Sequence, residues 1–155
     1  MFFVQAALLF VFPALVIIGA MRDLTSYTIP NWISGLLILA FAPAALALGL
    51  PLSAMGLHFG VGVAALMIGM AMFALNWIGG GDAKLFAASA LWLGWPGSLE
   101  FVVGTGLAGG ALTFALFGLR SPLIRPYVLS APGWVNRLAT PKGDLPYGVA
   151  IAAGA

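Results

Sequence analysis

The sequence predicts an all-α membrane protein, a polytopic bundle of about six transmembrane helices in a single domain that covers residues 1–155. Hydrophobic residues make up 63% of the chain and charged residues only 6%, whereas a soluble domain carries roughly a quarter charged residues. The mean hydropathy is +1.12. The apolar residues form long runs rich in alanine and leucine, and they do not alternate with polar residues as barrel strands do. Such a chain cannot cover a water-facing surface.

Helix breakers and short polar segments divide the apolar runs into six predicted spans. A helix needs about twenty apolar residues to cross a hydrocarbon core of about 30 Å. The predicted spans are residues 2–21, 32–50, 53–78, 83–95, 99–119 and 145–155. The last one covers only about 16 Å, so we expect a short or truncated final helix. Between the spans we expect a polar connector at 23–31, a turn at 96–98 and a cytoplasmic loop at 120–144.

Charge predicts the orientation of the bundle. When the spans alternate, all six Lys and Arg residues fall on one side together with Asp23, Asp82 and Asp144, and Glu100 is alone on the other side. Because positive charge collects in the cytoplasm, both Asp23 and Asp82 are expected at the cytoplasmic end and the amino terminus on the outer side. The first apolar run has no basic residue before it and is longer than a usual signal-peptide core, so we expect it to be retained.

The composition also excludes several classes of site. There is no cysteine and only one histidine, His58, so a disulfide framework, a thiolate zinc site and a multi-histidine metal site are excluded. We predict no metal and no cofactor. The net charge of +2 is too small to indicate nucleic acid, which leaves membrane lipid as the general partner. Residues 121–142 mix aromatic and basic side chains, which is typical of an interfacial segment on anionic lipid; a lid over the site is the alternative.

Two of the four acidic residues, Asp23 and Asp82, stand beside helix-breaking sequences. The breakers are Ile29-Pro30-Asn31 and Gly79-Gly80-Gly81. Ionisable groups at membrane depth mark functional sites by default. Two neighbouring carboxyls share one proton, so that one can act as base and the other as acid in amide hydrolysis. Taken singly, Asp82 could be only a helix cap and Asp23 only a solvated loop residue beside Arg22, but their joint placement favours a catalytic pair.

The residues around the pair have predicted supporting roles. The glycines are expected to end the third span through backbone angles closed to other residues, and to permit close approach of another helix or a substrate strand. We expect Asp82 to cap the fourth span, and Asn31 to cap the second span after Pro30 separates it from the connector. Lys84 is two positions from Asp82 and does not share its helix face, so it is expected to reach a lipid phosphate or a chain terminus.

The remaining acidic residues are not expected at the site. Glu100 falls on the opposite side of the membrane, and Asp144 has no breaker that would position it beside the other two carboxyls.

Three segments resemble the type IV prepilin peptidase family, the bacterial branch of the Gly-x-Gly-Asp intramembrane aspartyl proteases. Asp23 with Ile29-Pro30-Asn31 resembles the first catalytic motif of that family, and Gly79-Gly80-Gly81-Asp82 with Lys84 resembles the second. Pro146-Tyr147-Gly148 resembles the motif that opens the last helix of the family. The order and spacing of the three segments agree across nearly the whole chain.

The resemblance implies an aspartic endopeptidase of the bacterial inner membrane, with Asp23 and Asp82 as catalytic residues. Its partner would be a prepilin, cleaved at the cytoplasmic face just before the hydrophobic helix of the pilin. Larger members carry a cysteine-containing domain and methylate the product; this chain resembles the short, peptidase-only form of Flp (tight-adherence) pilus systems. Two alternatives stay open: a small ion or proton transporter with membrane aspartates, and a noncatalytic pilus-assembly subunit.

Overall fold

The computed structural model describes residues 2–128, 131–140 and 143–155, and within these ranges it is helical without any strand. The helices are α1 (Phe2–Ser26), α2 (Asn31–Ala47), α3 (Leu52–Ala74), α4 (Gly80–Leu119), α5 (Arg125–Val128), α6 (Gly133–Leu138) and α7 (Tyr147–Gly154). The all-α prediction is confirmed. Three helices are long and apolar enough to cross a membrane, namely α1 from Gln5 onward, α3 and α4, and α2 is a shorter apolar helix. The predicted count of about six spans is not confirmed.

Helix α4 doubles back on itself near its middle. Gly94 (φ 58°, ψ −160°) and Trp95 (φ −102°, ψ 135°) have non-helical backbone angles. The rings of Phe86 and Phe101 are stacked with centroids 5.1 Å apart, whereas a straight helix would separate these residues by about 22 Å. Residues 80–93 and 96–119 therefore form an antiparallel pair. The break lies earlier than the predicted turn at 96–98, and glycine at 94 supplies the positive φ that the break requires.

Helices α1 and α3 each end at a non-glycine residue in the left-handed conformation. Helix α1 continues to Ser26 and ends at Tyr27 (φ 53°), whose N–H donates to the Asp23 carbonyl at 2.8 Å. Helix α3 ends at Asn76 (φ 57°), and the Trp77 N–H reaches back to the Met72 carbonyl at 2.9 Å. Both arrangements satisfy carbonyls that a helix end leaves unpaired. Asp23 thus belongs to the last turn of α1, and the predicted polar connector from residue 23 is wrong.

The glycine run does not end the third span through unusual backbone angles, so that prediction is also wrong. Gly79 is extended (φ −74°, ψ 154°), and Gly80 and Gly81 are the first residues of α4. Positive φ occurs earlier, at Asn76, because asparagine tolerates the left-handed region better than most residues.

The core lies where α1, α2, α4 and α7 meet. Its most deeply buried large side chains are Val16, Ile33, Leu37, Leu85 and Phe101. Helix α3 contributes Ala65 to this cluster and packs on α4 so closely that a Cβ added at Gly69 would lie 3.1 Å from the Ala83 Cβ. Large apolar side chains are exposed around the bundle, as expected for a surface that faces lipid rather than water.

Most basic residues collect at one end of the bundle. Arg120 donates from Nε to the Leu138 carbonyl and from a terminal nitrogen to the Asp144 carbonyl, both at 2.8 Å. Arg137 donates to the Thr25 carbonyl at 2.5 Å. These bonds hold α6 against the end of α1, and the Leu138 side chain of α6 is buried. Part of the 121–142 segment therefore docks on the protein itself, and Lys142 lies outside the described residues.

Candidate active site

Asp23 lies in the last turn of α1 and is 4% exposed. Its Oδ2 accepts the backbone N–H of Gly148, the second residue of α7, at 2.7 Å. Because the first N–H groups of a helix have no partner inside that helix, this carboxyl satisfies one of them. Helices α1 and α7 pack against each other, and this hydrogen bond to Asp23 joins their ends.

Asp82 is the third residue of α4 and is 6% exposed. Its Oδ2 accepts the N–H of Gly79 at 3.0 Å. Asp82 does not occupy the predicted N-cap position, which Gly79 takes; its carboxyl caps the helix from the first turn, by reaching back to the Gly79 N–H as the acidic residue of a capping box does. The other oxygen, Oδ1, is buried and has no hydrogen-bond partner in the part of the chain that the structure describes.

The two carboxyls share one cavity of about 510 Å³. The Asp23 carboxyl lies near that of Asp82, and the Gly148 amide lies close to both. No salt bridge to either carboxyl is present among residues 2–128, 131–140 and 143–155, although an unpaired buried charge is costly. The structure brings together the two aspartates that the sequence singled out, in a site with an unused carboxyl oxygen.

Ile29 of the first motif lies close to Gly81 of the second motif and to Gly148 of the third. A Cβ at Gly81 would lie 3.0 Å from the Ile29 Cβ, and a Cβ at Gly148 would lie 3.0 Å from the Ile29 Cδ1. Glycine is needed at both positions because the Ile29 side chain and backbone pass so close. The loop between α1 and α2 thus approaches the glycine run closely, although it is neither the helix nor the substrate strand that was expected.

Asn31 and Lys84 form a polar pair beside the site. Asn31 does not cap α2 as predicted, since Pro30 occupies the N-cap position without a side-chain hydrogen bond. Instead, the Asn31 Oδ1 accepts a hydrogen bond of 2.8 Å from Nζ of Lys84. Lys84 thus bonds α2 rather than a chain terminus.

The third motif begins α7 at the same place. Pro146 is the N-cap residue and is among the most deeply buried residues. Tyr147 lines the cavity with the aspartates, and Gly148 supplies the amide to Asp23. Tyr147 and Gly148 therefore contact the aspartate site directly, and Pro146 begins the helix that carries them.

Several residues that the sequence analysis did not place in the site also line the cavity, among them Tyr27 and Asp144. The Tyr27 hydroxyl is buried and has no hydrogen-bond partner of good geometry among the described residues. Its burial raises the pKa of the phenol, and the nearby Arg120 guanidinium opposes that effect. The expectation that Asp144 stands apart is wrong; its position two residues before Pro146 was the signal that could have revealed it.

The cavity does not offer a conventional metal site. No group of three or more His, Cys, Asp or Glu side chains that could hold a metal ion occurs within the described ranges. The polar groups that line the cavity are carboxyls, backbone amides, the Asn76 side chain and the phenols of Tyr27 and Tyr147, a set suited to moving protons and holding a peptide.

The comparison with known proteins agrees with this chemistry. No curated protein and no solved structure matches the chain. The model of the type IV leader peptidase family matches residues 10–114, a range that includes Asp23 and Asp82 and ends before α7. The match covers more than half of the chain and supports a prepilin leader peptidase function in general. The chain therefore belongs to the type IV leader peptidase family.

Proposed function

We propose that this chain is an intramembrane aspartyl endopeptidase that removes the leader from Flp-type prepilins at the cytoplasmic face of the bacterial inner membrane. Asp23 and Asp82 are its catalytic residues. The observation that carries the proposal is the burial of these two carboxyls, from separate helices, in one cavity.

In the proposed reaction one carboxyl is ionised and the other protonated. The ionised carboxylate takes a proton from water as the water oxygen bonds to the scissile carbonyl carbon. The protonated carboxyl first donates a hydrogen bond to the carbonyl oxygen. A proton then passes to the amide nitrogen as the C–N bond breaks, so that one water is consumed and an acid and an amine are released. The Gly79 and Gly148 amides hold one oxygen of each carboxyl, which leaves the second oxygens for water and substrate.

The topology of about six spans is part of the same proposal. We assign one span each to α1, α2 and α3 and one to each half of α4, and α7 is the short sixth span, which covers only part of the membrane. The reversal of α4 at Gly94 supports this count, and so do the bonds that tie Arg120 and Arg137 to the end of the bundle that holds the aspartates. Because Lys and Arg are enriched in cytoplasmic loops, this end faces the cytoplasm and the amino terminus the periplasm.

The test is processing of a co-expressed Flp-type pilin precursor in a bacterial membrane. Asp23→Asn and Asp82→Asn each keep the side-chain shape and remove the acid–base function, so we expect processing to fall by at least about 10³-fold while the protein stays folded. Glu100→Gln is the matched control, since it removes a carboxyl near the break in α4, away from the site. Normal processing by either aspartate variant would overturn the catalytic assignment.

A second experiment addresses the substrate class. We expect the wild-type chain to process an Flp-type precursor faster than a precursor from another type IV pilus system, as measured by the fraction of mature pilin in a time course. Equal rates would remove the Flp assignment and leave the peptidase assignment intact. Aspartate-dependent ion flux in proteoliposomes, without any processing, would favour the transporter alternative instead.

A further inference from the structure

A second cavity, of about 600 Å³, opens on the side of the bundle. Helices α2 and α3 both pack on α4. They contact each other toward the break in α4, where the Phe41 ring packs on His58 and Phe59. Between this contact and the end that holds the aspartates, a gap leaves the first half of α4 uncovered as the floor of a groove. The floor residues are Gly80, Ala83, Ala87, Ala88 and Leu91, with Gly35 and Ile38 on the α2 wall and Phe59, Gly62 and Met70 on the α3 wall.

The lining of this groove is apolar apart from one end. There, the polar side chains of Asn31 and Lys84 are joined by their 2.8 Å hydrogen bond. From Lys84 the floor continues for about 10 Å to Leu91, in the direction of the break at Gly94. The groove therefore has a polar end at the level of the aspartates and an apolar remainder that reaches into the membrane region.

The groove begins where the catalytic cavity ends. Gly79 and Asp82 line the catalytic cavity, whereas their neighbours Gly80 and Ala83 line the groove. Only the first turn of α4 separates the two spaces. A polypeptide that lies in the groove needs to pass over this single turn to bring a peptide bond to the carboxyls.

We propose that this groove is the docking site for the apolar membrane helix of the substrate, with the amino-terminal end of that helix at the Asn31–Lys84 pair. The inference rests on the proposed peptidase function. The groove is open to the side, so a substrate helix enters it from the bilayer without passing through water. Its alanine and glycine floor lets a second helix approach closely, and its continuity with the catalytic cavity places the segment before that helix at the carboxyls.

Site-specific crosslinking tests the contact without requiring cleavage. A photoreactive benzophenone amino acid replaces Ile38, which lines the groove, in the Asp82→Asn variant co-expressed with the pilin precursor. The matched control carries the same amino acid at Leu39, which is the next residue on α2, does not line the groove and is 73% exposed. We expect a precursor adduct at position 38 at least about tenfold stronger than at position 39. Equal adducts, or adducts only with lipid or with a second copy of the enzyme, would overturn the proposal.

A groove-filling substitution tests its importance for turnover. A Cβ at Gly35 has no atom within 4 Å, so Gly35→Leu fills part of the groove without displacing the protein around it. We expect the KM for the precursor to rise by about tenfold or more, with little change in kcat, because the lost contacts are equal in ground and transition states. Gly60→Leu is the control: it adds the same side chain on α3, also with no atom within 4 Å, and does not line the groove.

The outcomes separate the two proposals. If the wild-type chain does not process the precursor, the proposed function fails, whatever the crosslinks show. If it does process the precursor while Gly35→Leu behaves like Gly60→Leu and position 38 gives no excess adduct, only the groove assignment fails.

Discussion

The backbone N–H of Gly148 donates a 2.7 Å hydrogen bond to Oδ2 of Asp23 across 125 positions of the sequence. The bond is buried and joins the first turn of α7 to the last turn of α1. Because an amide fixed at a helix end cannot rotate away, it holds the carboxyl in one orientation. The position of α7 and the orientation of a proposed catalytic group are therefore linked.

This link predicts that Gly148→Ala impairs the site. The added Cβ would lie 2.9 Å from the Asp23 Cβ and 3.0 Å from its Oδ2, so the carboxyl or α7 must move. A displacement of about 1 Å near reacting groups can cost about 10²-fold in rate, and we expect a loss of that order in precursor processing. Gly110→Ala is the control, since a Cβ there meets nothing within 4 Å. Full activity of Gly148→Ala would show that the amide does not position Asp23.

The hydrogen bonds of Arg120 predict that this residue stabilises the segment that leads to α7. Its guanidinium donates to two carbonyls at once, those of Leu138 and Asp144, and a lysine ammonium on a flexible stem cannot reproduce that fork. We expect Arg120→Lys to destabilise the docked segment by about 1–2 kcal/mol, measured as faster cleavage by proteinase K between residues 121 and 143. Arg125→Lys is the matched control, because Arg125 makes no side-chain hydrogen bond within the described chain. Equal cleavage of the two variants would contradict the prediction.

The buried phenol of Tyr27 predicts that the stability of the protein falls at alkaline pH. Burial raises the pKa of its phenol above the ordinary value of 10.0, so the folded protein favours the neutral form. The resulting stability is fully present below pH 10 and is lost as pH rises through the folded pKa. We expect the midpoint of the phenolate absorbance that Tyr27→Phe removes to lie above pH 10 in the folded protein, with Tyr127→Phe calibrating the amplitude of one tyrosine. A Tyr27 midpoint at or below pH 10 would contradict this.

The aspartate pair could be predicted from the sequence because its signal is local. Asp23 and Asp82 are rare charges in apolar surroundings, and each stands beside residues that interrupt a helix. Alternation of the spans then places both at one end of the bundle without any knowledge of the packing. The same reasoning located α2 and α3 to within a few residues.

The details at helix ends could not be predicted in this way, since several residues compete for one role. Asp82, Asn31 and the glycines were all plausible caps or breakers, but Gly79 and Pro30 took the N-cap positions and Asn76 took the left-handed one. The places of Tyr27 and Asp144 depend on how the segment after α4 docks through Arg120, a long-range contact that leaves no periodic pattern in the sequence.

The reversal of α4 depends on Gly94 in two independent ways. Its backbone angles, φ 58° and ψ −160°, belong to a region that is nearly closed to residues with a side chain. Any Cβ there would also overlap the imidazole ring of His58. That ring is held in place, because its Nδ1 lies 2.8 Å from the Leu91 carbonyl and it stacks on Phe41 with centroids 5.3 Å apart.

We therefore expect Gly94→Ala to destabilise the protein by about 3 kcal/mol, since strained angles and overpacking each cost about 1–3 kcal/mol. Thermal unfolding in detergent measures it. Gly97→Ala is the control, because a Cβ there meets only the Leu93 Cβ at an ordinary 3.7 Å. Adding His58→Ala to Gly94→Ala relieves the overlap but not the backbone strain, so the double variant should recover only part of the loss. A Gly94→Ala variant as stable as Gly97→Ala would mean that the chain reverses by another geometry.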